Sequence, residues 1–113
     1  MFLNTLLLFI FFDIIYFYYI SYLPFNHNIT IEKTYVKLLS ALLCYLLMTF
    51  SLNYFVLSKS KSIKDAFILG FIIYGIYNTT NYTILKDWNI YMSIIDTFWG
   101  GILFSLTTYI LTN

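Results

Sequence analysis

Four apolar runs of about twenty residues each, parted by three short polar connections, take up nearly the whole chain. They lie at about Phe2 to Leu23, Lys37 to Leu57, Asp65 to Leu85 and Asn89 to Leu111. A helix of that length, rising about 1.5 Å per residue, covers the roughly 30 Å of hydrocarbon in a bilayer. Each run stops at residues ill suited to lipid: Pro24 with Asn26, His27 and Asn28, then Ser58 to Ser62 with Lys59 and Lys61, then Lys86 with Asp87. The alternating pattern of a membrane β-barrel is missing, and backbone in lipid must satisfy its own hydrogen bonds. The expected fold is all-α: an integral membrane four-helix bundle, a single four-span domain over residues 1–113 with short loops.

Composition closes off the soluble alternatives. The chain is 61% hydrophobic and 10% charged, far below the quarter of charged residues usual in soluble domains. A soluble domain of 113 residues could not bury that much apolar surface. Twelve tyrosines suit a membrane, because the ring is apolar and the hydroxyl wet. The net charge of +1, with every basic residue a lysine, gives no basis for nucleic-acid or phosphate recognition. The lone Cys44 cannot form an internal disulfide and reads as a small packing residue. His27 has no second ligand at a usual spacing, so no metal and no cofactor is expected. The first apolar run outlasts the core of a signal peptide and has no basic residue before it, so it reads as a retained span.

Insertion energies separate the spans. The first holds fourteen Leu, Ile or Phe residues. At about −0.3 to −0.6 kcal/mol each they outweigh the roughly +2.5 to +3.5 kcal/mol of Asp13. The fourth has ten such residues against Asp96, Gly100 and Gly101, and the third carries Asn78, Thr79, Thr80, Asn81 and Thr83. These two are expected to insert as a hairpin through the tight turn at Lys86, polar faces against protein. Lysines tie across the two sides, with Lys59, Lys61 and Lys64 on the side of the termini and Lys33, Lys37 and Lys86 opposite. Their clustering in one short loop tips the termini toward the cytoplasm.

Within this apolar frame Asp13, Asn78, Asn81 and Asp96 stand out. Ionisable residues in hydrocarbon are costly and normally mark a bundle interior, a water path or an ion site. Counted along antiparallel helices, the four fall within about one to two turns of each other in depth. On the third helix Gly70, Tyr74, Tyr77, Asn78 and Asn81 follow steps of three and four, making one polar stripe. Tyr16, a turn after Asp13, is placed to donate its hydroxyl to that carboxyl. Gly100, a turn after Asp96, lets a neighbouring helix come close to it. Ser40, Cys44 and Ser51 form a small-residue packing face on the second helix, and Trp88 and Tyr91 read as interfacial anchors. The sequons at Asn78 and Asn81 lie inside a span, out of reach of glycosylation, and the one at Asn28 lies close to the bilayer.

These residues also carry a resemblance. The chain resembles the small four-span membrane proteins grouped as domain of unknown function 2177, a family seen mainly in bacteria. Asp13-Ile14-Ile15-Tyr16 is similar to the family's acid-x-x-aromatic element in the first helix. Gly70-x3-Tyr74-x2-Tyr77-Asn78-Thr79-Thr80-Asn81, followed by Trp88, resembles its third-helix pattern. Asp96-Thr97-Phe98-Trp99-Gly100 resembles its D-x-x-W-G element in the fourth. Where the family pattern reads Tyr-Asp-x-Thr-Asn this chain has Asn78 in place of the aspartate, which removes one charge. The resemblance implies a common four-helix fold and a shared polar centre, and carries no activity with it.

Two functions compete on this sequence. In one, Asp13, Asn78, Asn81 and Asp96, supported by Tyr16, Tyr74, Tyr77, Trp99 and Gly100, form a polar intramembrane site for a proton, a cation or a small solute, as in coupled transport. In the other, the protein is a non-catalytic scaffold and the same residues only bond the helices together, at about 0.6 kcal/mol per pair. No serine–histidine–aspartate set, nucleotide loop or histidine pair suggests an enzyme, and no catalytic residue is assigned. The expected partner is the lipid bilayer. Helices of this length leave little interior room in a monomer, so a homodimer is also open to the chain.

Overall fold

The computed structural model describes residues 2–20, 35–86 and 88–112. Among them every regular element is helical: α1 (Phe2–Ile20), α2 (Tyr35–Leu52), α3 (Ile63–Ile84) and α4 (Ile90–Thr112). A π-helical turn, Asn53–Leu57, prolongs α2, closed by the amide of Ser58 on the carbonyl of Asn53 at 2.9 Å. The readings of Pro24, His27 and the Asn28 sequon lie outside the described residues.

Local chemistry sets the helix starts. The Ser62 hydroxyl accepts the amide of Asp65 at 3.2 Å, and Ser60 donates to the Asp65 carboxylate at 3.0 Å. This cap lets α3 begin at Ile63, ahead of Asp65. Asn89 does the same for α4, its Oδ1 accepting the amides of Tyr91 at 2.8 Å and Met92 at 3.3 Å. Lys61 takes a left-handed φ of 53° where the chain leaves the π turn.

Large apolar side chains cover the outside of the helices, among them Phe11, Phe17, Leu43, Ile72, Ile76 and Phe98. So much exposed hydrocarbon suits lipid, not water. Three stretches, Phe2–Ile20, Leu38–Leu57 and Ile90–Thr112, are long and apolar enough to cross a membrane. α3 is not one of them, although it is 22 residues long. Its run of Asn78, Thr79, Thr80, Asn81 and Thr83 dilutes the apolar residues.

Inside, α1 presents Thr5, Phe9, Asp13, Tyr16 and Ile20, a single stripe at helical spacing. Phe9 packs with Leu52, Val56, Ala66, Leu103 and Phe104, its ring stacked on Phe104 at 4.8 Å. A smaller cluster of Tyr16, Ile20 and Met92 lies farther along, with Ile95 and Trp99 against it. Asp13 sits between the two on α1.

The most extensive interface is between α3 and α4. Gly70 and Gly100 make it: a Cβ on Gly70 would collide with the Gly100 carbonyl oxygen, and a Cβ on Gly100 with the Tyr74 ring. Gly101 likewise leaves room for the ring of Phe67. Two backbones touch here, as small residues allow in lipid. Among the described residues, the side of α2 bearing Ser40, Cys44 and Ser51 is not closed against a helix. It lines an open groove of about 370 Å³ with Leu43, Leu47, Met48 and Ile73, which corrects the packing face expected there.

Candidate functional site

Asp13 is the centre of the polar interior, only 3% exposed. Its stripe on α1 faces the other three helices, and each of them supplies a donor. The Tyr45 hydroxyl of α2 donates to Oδ2 at 2.6 Å, and the Tyr74 hydroxyl of α3 donates to the same oxygen at 3.4 Å. The Trp99 indole of α4 donates to Oδ1 at 2.8 Å. The Tyr16 ring lies flat on Trp99, centroids 4.6 Å apart and planes 6° from parallel, and so fixes the indole. All three donors are neutral, and none of the described lysines is among the partners.

Asp96, one helical turn before Trp99, has a sparser shell. Its Oδ2 accepts from Asn78 Nδ2 at 2.7 Å. The second proton of that amide goes to the Tyr74 carbonyl at 2.8 Å. Both Asn78 protons are therefore committed, while its Oδ1 is buried without a partner. The two carboxyls are thus linked through α3: the side chain of Tyr74 serves Asp13, and its backbone holds the amide that serves Asp96. The Tyr16 hydroxyl is buried without a hydrogen bond, so the donation to Asp13 expected of it is not made. Carboxylates are suitable ligands for a hard cation, but among the described residues no cluster of three His, Cys, Asp or Glu gathers.

The site expected from sequence is therefore brought together in part. Asp13, Asn78, Asp96, Tyr74 and Trp99 form the network, with Gly100 beneath the Tyr74 ring. Asn81 does not join: it is half-buried, bonds neither carboxyl, and has the Tyr77 hydroxyl for a neighbour. Tyr77 is exposed, its ring edge-on to Trp88 at 6.0 Å. The stripe that enters the bundle is Gly70, Tyr74, Asn78, because the glycine crossing brings only that line of α3 against α4.

Tyr45 is the residue the sequence reading missed. It begins a second polar line, Tyr45, Thr49, Asn53, four residues apart along α2 and into the π turn. Thr49 donates to the Tyr45 carbonyl at 2.7 Å, and Asn53 donates to the Thr49 carbonyl at 2.9 Å and across to the Thr5 hydroxyl of α1 at 3.2 Å. That spacing was legible as a polar face in an apolar run, and Thr5 and Asp13 lie at matching heights on α1.

A family model described as predicted membrane protein (DUF2177) matches residues 1–112. The chain belongs to this family. The match takes in all four helices, and with the three apolar stretches it makes this an integral membrane protein. No curated protein and no solved structure matches the chain.

Proposed function

We propose that this DUF2177 protein crosses the bilayer four times and uses Asp13, with Asp96, as an intramembrane proton or cation site for the coupled movement of a small solute. The observation that carries this reading is the Asp13 carboxylate, buried and bonded by three neutral donors from three helices with no described cation beside it. A carboxylate placed in low dielectric needs its charge balanced, and here a proton or a small cation has to do it. Trp99 donates only, so it orients the group. Tyr45 and Tyr74 can donate or accept and can follow a change in its protonation.

The third span is part of the proposal. α3 has the length to cross, and its polar atoms at Asn78 are turned to Asp96 and Tyr74, so α3 and α4 enter as one hairpin. The termini and the loop with Lys59, Lys61 and Lys64 face the cytoplasm.

Proton flux into liposomes holding the purified protein tests the site. Asp13→Asn should abolish flux, and Asp96→Asn should reduce it. Flux that is present and indifferent to both changes sinks the reading. One observation favours a scaffold instead: both Asp13 oxygens are already occupied, with apolar clusters on either side along α1. In a scaffold both variants fold normally and no flux is seen at any stage.

A further inference from the structure

On the outer face of the α3–α4 pair runs a second groove, of about 310 Å³, distinct from the one beside α2. Asn78, Thr79, Thr83, Ser93 and Thr97 give it a polar wall, and Phe71, Ile94 and Phe98 an apolar floor. The Phe71 and Phe98 rings meet edge to face at 5.2 Å.

The hydrogen-bond inventory of that wall is one-sided. Thr79 donates to the Gly75 carbonyl, Thr83 to Thr79, Ser93 to Asn89 and Thr97 to Ser93. Every one of these hydroxyl protons is spent on its own helix, so each oxygen is left as an acceptor. Asn78 makes the same point: both amide protons are in use, it is 1% exposed, and its Oδ1 is buried without a partner. Tyr82 at the rim holds the one phenolic hydroxyl of the lining. The groove calls for a ligand that brings donors. A second copy of the same face would set acceptors against acceptors, which disfavours self-association there.

Depth narrows the ligand. Asn78 lies about 9 Å along the helix axis from the Ile84 end of α3, at 1.5 Å per residue. That is below the plane of charged head groups, and a phosphate or ammonium would have to be dragged into hydrocarbon to reach it. We propose that the α3–α4 groove binds an uncharged lipid alcohol, whose hydroxyl donates its single proton to the Thr79 or Thr97 oxygen of the acceptor wall while its chain lies along Phe71, Ile94 and Phe98. The site is independent of the proton reading, because it rests on the acceptor oxygens of the groove and not on the protonation of either carboxyl.

Native mass spectrometry of the full chain released from mixed micelles tests this with a matched pair of probes, dioleoylglycerol and its 3-acetyl ester. The two differ in the free hydroxyl, so roughly tenfold tighter retention of the alcohol is expected, as for one well-made bond. The double variant Thr79→Val, Thr97→Val keeps the shape of the wall and should erase most of that preference, with helicity by circular dichroism unchanged. Equal retention of both probes, retention of neither, or a preference that survives in the folded double variant would each overturn the proposal. So would disulfide formation between copies carrying Ile94→Cys in a Cys44→Ser background, which would give the groove to a second chain.

Discussion

α3 and α4 are held to each other chiefly by shape, whereas α2 and its π turn add cross-helix polar bonds to their share of the apolar core. At the first junction Gly70 and Gly100 let two backbones touch, and nothing larger than hydrogen fits. At the second, Tyr45 reaches Asp13 and Asn53 reaches Thr5, while the neighbouring side of α2 lies open as a groove. In lipid, where apolar contact between helices offers little over contact with acyl chains, these are the two available means of association. The comparison teaches that the carboxyl network serves α2 more than it serves α3 and α4.

Substitutions can break this contrast. The largest effect is expected at the glycine crossing. Gly70→Leu drives a side chain into the Gly100 backbone and should cost about 3 kcal/mol, the top of the usual overpacking range, enough to separate the hairpin. Unfolding in mixed detergent would show it as loss of the folded fraction. Next comes Asp13→Ala, which strands the donors of Tyr45, Tyr74 and Trp99. Leaving buried polar groups unpaired costs about 1–3 kcal/mol. Asp13→Asn should retain much of that stability while losing flux, and the pair separates packing from chemistry.

Tyr45→Phe ranks lower, at about 0.6–1.7 kcal/mol for one bond in lipid. Its consequence should be confined to α2, read as faster amide exchange there with α3 and α4 unaffected. Asn53→Leu is the smallest, near 0.6 kcal/mol, since the Thr5 bond is long and half-buried. If Tyr45→Phe proved as damaging as Gly70→Leu, the distinction between shape and bonding would fail.

Much of this architecture could be read from the chain because lipid leaves so few solutions. The all-helical fold follows from the apolar runs alone, and Asp13, Asp96 and Asn78 announce themselves as polar residues where polarity is expensive. What the sequence hides is the choice among polar residues on one helix. Steps of three and four admit Tyr77 and Asn81 to the stripe, but the glycine crossing is narrow and takes only the line through Gly70, Tyr74 and Asn78. Tyr45 is hidden for another reason. In a chain with twelve tyrosines, one more aromatic ring in an apolar run looks like lipid surface, and only the height of Asp13 on the facing helix reveals its partner. Ser40, Cys44 and Ser51 mislead in the opposite sense, since small residues permit a close approach without requiring one.

The π-helical turn at Asn53–Leu57 has a consequence for how this chain can change length. A π turn accommodates one residue more than an α turn, and each residue of α-helix turns the chain by about 100°. The turn therefore absorbs a residue between the Tyr45–Thr49–Asn53 line and the loop that carries the lysines. Deleting the exposed Tyr54 or Phe55 would heal the helix to regular geometry and keep the loop leaving on its present side. The same deletion earlier in α2, where no extra residue is held, would swing everything beyond it by about 100°. The π turn is where this chain can lose a residue and keep its fold.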